Sequence, residues 1–286
     1  MSQPAQKKKL TIADLRGMKE RGEPIAVTTA HDYVTTKLVD EAEIDAVLVS
    51  DWSVATSVLG YATALQAKWD EVLFYLQGVC RIVEHAVVIG SLPFGSYHVS
   101  DAEAVRNAAR LMKAGADTVK VEGAGPIIDR AHAISQAGIL CVGHLGATPH
   151  SVKRRSGLCP FGQKAEEAAQ LVKDAQALAQ AGAWAIMLEG VPDRVAEIVC
   201  RKTNAIIIGA GGTSDCDGQM LTIYSILGMP EAVSPLFSRQ YADFEGSMLA
   251  ALNAWCAEVR NLEFPTEKQT FDIKDEQFER FLEVIN

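Results

Sequence analysis

Side chains able to do chemistry recur in this sequence at one kind of place, at or just after the end of a short apolar run. Asp51 follows the second such run, Ser91 the third, Glu122 the fourth (with Lys120 just before it), His144 the fifth, Glu189 the sixth and Gly209-Ala-Gly-Gly212 the seventh. Hard oxygen donors such as Asp51 and Glu122 suit Mg²⁺. An ion chelated by the carboxylate and keto oxygen of a small 2-oxo acid would polarise the carbonyl and stabilise an enolate. Lys120 could neutralise the substrate carboxylate, and Glu189 could remove the proton from the carbon next to the carbonyl. The turn containing Gly209 and Gly211 could bring backbone N–H groups close to an anion. His144 could donate a hydrogen bond near the pocket.

Each of these residues has a plainer reading when taken singly. An Asp or Glu after a strand is more often a helix cap or a solvated rim charge. A glycine-rich turn also serves ordinary strand-to-helix geometry, and a histidine is as readily structural as functional. Asp51, Lys120, Glu122, His144 and Glu189 together at the same end of successive runs are not a set that packing demands.

The runs that must position them are Ile25–Thr29, Ala46–Ser50, Ala86–Gly90, Thr118–Val121, Ile139–Gly143, Trp184–Leu188 and Ala205–Ile208, with a weaker eighth near Glu231–Ser234. They are short, β-branched and continuous rather than alternating, as parallel strands buried on both faces are. Helical patterns lie between them. Thr11-Ile-Ala-Asp14 starts a helix ahead of the first run, and Ser100-Asp-Ala-Glu103 reads as a capping box opening a helix that runs to Gly115. Residues 165–181 form another helix, and Val191-Pro192-Asp193 places a proline in the first turn of the next. Lys113-Ala-Gly115, Gln136-Ala-Gly138 and Gln180-Ala-Gly182 each end a helix on a glycine and lead into a run.

Seven or eight strand–helix units predict an α/β fold, a single (β/α)8 TIM barrel with an N-terminal helix and a C-terminal helical extension. The barrel is expected over about 24–245 and the extension over about 246–286, with a charged tail from about Phe264 packed outside the barrel or on a neighbouring subunit. A doubly wound open sheet is the alternative. In a β/α barrel the active site lies at the C-terminal ends of the strands, which makes the residues named above one rim.

With 286 residues, 48% of them hydrophobic, the chain can bury a large core. A net charge of −9 argues against nucleic-acid binding, which rests on phosphate neutralisation. No apolar run is long enough to span a membrane, and the polar start through Lys7-Lys-Lys9 is not a secretory signal. Cys80, Cys141, Cys159, Cys200, Cys216 and Cys256 form no C-x-x-C pair and read as reduced thiols of a cytoplasmic protein.

A set of ordered motifs resembles the ketopantoate hydroxymethyltransferases over roughly residues 10–271. They are Thr11-Ile-Ala-Asp-Leu15, Thr28-Thr-Ala-His-Asp32, Val119-Lys-Val-Glu-Gly123, Gly143-His-Leu-Gly-Ala-Thr-Pro149, Leu188-Glu-Gly-Val-Pro192, Ile208-Gly-Ala-Gly211, Asp217-Gly-Gln219 and Phe264-Pro-Thr-Glu267. The resemblance implies a barrel of the phosphoenolpyruvate mutase/isocitrate lyase type. It implies transfer of a hydroxymethyl group from 5,10-methylenetetrahydrofolate to 3-methyl-2-oxobutanoate with Mg²⁺, in pantothenate synthesis. It makes Asp51 a metal ligand, Glu122 a carboxylate near the metal, Lys120 the holder of the substrate carboxylate and Glu189 the general base. It also implies a homo-oligomer, often a decamer.

The chain departs from the family pattern at particular places. Trp52 stands where the family has a serine that helps bind the substrate carboxylate, and Ser91 where it has a second metal-ligand aspartate. The stretch Arg154-Arg-Ser-Gly-Leu-Cys159 has no close match to the family's lysine-containing loop, and Tyr224-Ser225 replaces a His-Asp pair. A neutral hydroxyl at position 91 weakens the metal site. An indole at the pocket floor shrinks the site or offers a stacking face. The family reaction is therefore weighed against two others, a divergent paralogue acting as a C–C lyase or aldolase-type enzyme on another 2-oxo acid, and a non-catalytic metabolite-binding barrel.

Overall fold

The continuous apolar runs are the strands of a closed barrel in which every neighbouring pair is parallel. This computed structural model describes residues 8–155, 157, 159–211, 214–231 and 237–286. In chain order the strands are β1 (Ile25–Thr29), β2 (Ala46–Val49), β3 (Val87–Ser91), β4 (Thr118–Glu122), β5 (Cys141–Gly146), β6 (Ala183–Glu189), β7 (Ile206–Ala210) and β8 (Gly218–Leu221). The sheet closes through β1 and β8, with Ile25 opposite Gly218, so the open doubly wound sheet does not form.

The eighth strand is not the run near Glu231–Ser234. Residues 232–236 lie outside the described residues, Glu231 is not in a strand, and Gly218–Leu221 holds the eighth place between β7 and β1. A four-residue strand that opens Gly-Gln carries no β-branched side chain, so nothing in its composition marks it. The fifth run also shifts, from Ile139–Gly143 to Cys141–Gly146, which brings His144 inside a strand. Pro192 is the N-cap of the helix Asp193–Lys202, one position ahead of its expected first turn.

Strand side chains alternate between two cores. One parity, including Val27, Leu48, Ile89, Val142, Met187 and Ile208, fills the barrel interior, where Ile12 and Leu15 from the N-terminal helix Ile12–Arg21 join it. The other, including Val47, Val49, Val88, Val119, Val121 and Ile207, packs under the surrounding helices. Thr11 caps the N-terminal helix in a capping box with Asp14, and Ser100 caps Asp101–Lys113 by accepting from the Glu103 amide. Gly115, Gly138 and Gly182 all take positive φ as they turn the chain back into the sheet.

Contacts divide the chain into Met1–Tyr241, which holds the barrel, and Ala242–Asn286. The second unit carries the helices Phe244–Arg260 and Asp275–Ile285. No helix among the described residues is long and apolar enough to cross a membrane.

Entry into β3 depends on a buried carboxylate. Asp40, in the helix Tyr33–Glu41, accepts hydrogen bonds from the amides of Glu84 at 3.0 Å, His85 at 2.9 Å and Ala86 at 3.2 Å. Removing it leaves three backbone donors unpaired beside the sheet. Asp40→Ala is therefore expected to lower stability by about 2–3 kcal/mol, read as a fall in the thermal or urea midpoint. An unchanged midpoint would show that water satisfies those amides equally well.

Candidate active site

Period-two alternation explains why the rim residues meet. Ser91, Lys120, Glu122, His144 and Glu189 share the parity of Ile89, Val142 and Met187, and therefore face the barrel interior. Asp51 joins them from the first turn of the short helix Asp51–Ser53, which Ser50 caps directly after β2. Asp51, Ser91, Lys120, Glu122 and His144 are all buried.

Lys120 lies at the centre of the cluster. Its Nζ is 3.6 Å from Glu122 Oε2, 3.9 Å from Asp51 Oδ1 and 3.4 Å from His144 Nδ1. His144 spans the next gap, with Nδ1 at 3.5 Å from Glu122 Oε2 and Nε2 at 3.0 Å from Glu189 Oε2. Burial and the Lys120 charge push the His144 pKa down. Its contacts with the carboxylates of Glu122 and Glu189 overcome both and raise it above the ordinary histidine value. Glu189, the more exposed carboxylate of the group, lines a cavity together with Lys120, His144 and Trp52. The other walls are mostly apolar, from Leu48, Met187, Met220, Leu221 and Phe237, with the hydroxyl residues Ser50, Ser53 and Thr222 among them.

The sequence reading missed His150, one residue beyond the motif ending at Pro149. It belongs to the short turn Pro149–Ser151 after β5. Its Nε2 is 2.5 Å from Asp51 Oδ2, its Nδ1 is 3.1 Å from the Tyr97 hydroxyl, and its backbone N–H donates to Glu122 Oε1 at 2.5 Å. Tyr97, also missed, is fully buried. Its hydroxyl donates to the Glu122 carbonyl at 3.1 Å and accepts from the Glu122 amide at 3.0 Å. Adjacency to a run of rim motifs was the only sequence signal for His150, and Tyr97 carried none.

These partners set the state of both carboxylates. Burial would raise the pKa of Asp51, but His150, Lys120 and the hydroxyl of Ser91, which donates to Oδ1 at 2.5 Å, hold it well below the usual carboxylate range. Burial likewise opposes the charge on Glu122, and His150, His144 and Lys120 bring its pKa down to about 2. Both are anions at neutral pH.

The other expected residues are placed as follows. Ser91 is turned onto Asp51. Gly209 lies within β7 on the helix-facing parity, where an added Cβ would meet the Gln219 side chain at 2.9 Å, while its neighbour Ala210 lines the cavity. Gly211 has φ +74°, and an added Cβ would run into the Phe237 ring. Close packing thus accounts for both glycines. Gly212 lies outside the described residues, as do Ser156 and Leu158 of the divergent stretch after β5. Tyr224 stacks on the buried His31, while the neighbouring Ser225 donates to Glu231 at 2.8 Å.

Among the described residues no group of three His, Cys, Asp or Glu side chains is arranged to hold an ion. Mg²⁺ asks for less, since one or two carboxylates suffice and water and substrate supply its other ligands. Asp51 and Glu122 meet that requirement. Glu122 Oε2 is buried with no hydrogen-bond partner, only the longer ion-pair contacts given above, and is the acceptor left over for a cation. The donor set fits a hard divalent ion, with Ser91 and His150 competing for the oxygens of Asp51.

The family profile described as ketopantoate hydroxymethyltransferase matches residues 9–267. A 3-methyl-2-oxobutanoate hydroxymethyltransferase from Syntrophomonas wolfei is 41% identical over 273 residues, which cover 95% of this chain and 99% of that protein. One from Ignicoccus hospitalis is 41% identical over 260 residues, covering 91% and 98%. Among solved structures, 2,3-dimethylmalate lyase, a member of the PEP mutase/isocitrate lyase superfamily, matches with a TM-score of 0.57 at 14% identity, covering 96% of both chains. Phosphonopyruvate hydrolase in complex with oxalate and Mg²⁺ matches with a TM-score of 0.58 at 12% identity, covering 96% of this chain and 98% of that one. At such identities the structural matches speak for the barrel alone. The near full-length match to the family profile and to relatives of that name establishes that this chain belongs to the ketopantoate hydroxymethyltransferase family.

Proposed function

We propose that this chain transfers a hydroxymethyl group from 5,10-methylenetetrahydrofolate to the carbon next to the carbonyl of 3-methyl-2-oxobutanoate, through an enolate. The observation that carries this reading is the convergence of Lys120, His144 and Glu189 on one largely apolar cavity. A small branched 2-oxo acid has the matching parts, an anionic head and an apolar tail.

Lys120 holds the substrate carboxylate. Glu189 takes the proton from C3, and His144 keeps its carboxylate in place through the 3.0 Å contact. The branched tail lies against Leu48, Met187 and Trp52, which keep water from the enolate. The electron pair left on C3 forms the new C–C bond to the one-carbon unit, whose two C–N bonds to the folate break; water supplies the hydroxyl oxygen, and the proton taken from C3 together with one from water ends on the folate nitrogens. Asp51 and Glu122 would hold Mg²⁺, which would supply Lewis-acid polarisation of the keto group. A C–C lyase on the same barrel is the weaker reading, because the lyase resemblance extends only to the fold.

The direct test is formation of the hydroxymethylated 2-oxo acid from the two substrates, followed by mass spectrometry. No product under any metal condition would defeat the proposal. Glu189→Gln is expected to lower turnover by about 10²–10⁴-fold. It should also lower the His144 pKa, seen as a shifted imidazole titration by NMR, because the carboxylate facing Nε2 is gone. Normal turnover would remove Glu189 from the base role.

Ser91→Asp should tighten Mg²⁺ binding by about tenfold by adding an anionic oxygen beside Asp51, as measured by calorimetry. Unchanged affinity would place position 91 away from the ion. Trp52→Ser should enlarge the cavity and shift kcat/KM toward bulkier 2-oxo acids by about tenfold. An identical substrate profile would place the indole outside the substrate's reach.

A further inference from the structure

Away from the active site, two thiols from separate segments are in contact. Cys200 lies in the last turn of the helix Asp193–Lys202, and Cys216 in the connection from β7 to β8. Their Sγ atoms are 3.6 Å apart, and both cysteines are free. A disulfide needs an S–S distance of about 2.05 Å, so the two sulfurs must close the remaining gap to bond.

The two thiols differ in access and in chemical state. Cys200 is half-buried and lines an open cleft with Lys19, Arg201 and Asp215, while Cys216 is buried. Contact with Cys216 lowers the pKa of Cys200 against the effect of burial. The same contact, together with burial, raises the pKa of Cys216. An accessible thiol in contact with a buried second thiol is the arrangement of an attacking and a resolving cysteine. Burial instead pushes the Cys80 and Cys141 thiols up to about 11 and about 12.

We propose that Cys200 and Cys216 form a reversible disulfide that ties the helix Asp193–Lys202 to the β7–β8 connection and pins the backbone around Gly209 and Gly211. The oxidant is a low-molecular-weight disulfide. The Cys200 thiolate attacks one of its sulfurs and releases one thiolate. The Cys216 thiol then loses its proton to water and its sulfur attacks Cys200 Sγ, releasing the second. Two thiols of the protein are oxidised and one disulfide is reduced. The link closes a loop containing the whole of β7, whose last residue, Ala210, lines the cavity.

The test uses the full chain in a Cys159→Ser background, which removes an exposed thiol. The protein is exposed to glutathione disulfide, free thiols are blocked, and the tryptic peptides are mapped. Cleavage after Arg201 and Lys202 puts the two cysteines on different peptides. The expected result is one linked pair containing Cys200 and Cys216, dissolved by dithiothreitol and absent in Cys200→Ser. Hydrogen exchange of the amides in the β7–β8 connection should slow by about tenfold or more on oxidation, with no slowing in Cys200→Ser. Only mixed disulfides with glutathione, or a link to another cysteine, would overturn the assignment. The correct link with unchanged exchange would overturn the pinning. Cys216→Ser, which keeps an isosteric side chain in the buried position, repeats the test from the other thiol.

Discussion

A lysine with 3% of its side chain exposed can stay charged inside an apolar barrel only if anions meet it there, and the arrangement of this site follows from that constraint. Asp51 and Glu122 flank Lys120, and His150 and His144 in turn flank those carboxylates. Each buried carboxylate sits beside the lysine and a histidine, so removing Lys120 would take the shared cation from two buried anions at once. The cluster ends at Glu189, where it reaches the cavity. A site built in this way is pre-organised, because its side chains are fixed by one another before a substrate arrives.

The barrel supplies this arrangement at little cost in sequence. Parallel strands with one inward parity deliver Ser91, Lys120, Glu122, His144 and Glu189 to a common axis simply by ending near the same height. The same regularity made them legible. Continuous β-branched runs identified seven strands, and the residues at their C-terminal ends identified the rim. The eighth strand escaped because Gly218–Leu221 draws its stability from Ile25–Thr28 and β7 rather than from its own composition. His150 and Tyr97 escaped because they lie in connections, where no periodicity marks direction. Gly209 and Gly211 read as anion-binding candidates in sequence, while their surroundings are the packed side chains of Gln219 and Phe237.

The serine at position 91 is explained by the geometry around Asp51. Ser91 and His150 occupy the two oxygens of Asp51, one from each side. A second carboxylate at position 91 would face Asp51 with no proton to share, and a cation would be needed between them. With serine there, the site is satisfied by hydrogen bonds alone. A divalent ion bound here would compete with protein donors for Asp51, while Glu122 Oε2 has no hydrogen-bond partner in the protein.

The central claim is that this cluster forms an enolate from a small branched 2-oxo acid. Proton exchange at C3 of 3-methyl-2-oxobutanoate in D₂O, followed by NMR with Mg²⁺ and with EDTA, isolates that step and needs no folate. Enzyme- and metal-dependent loss of the C3–H signal is the expected result. Absence of exchange on this acid under either condition, with the protein folded, would contradict the account.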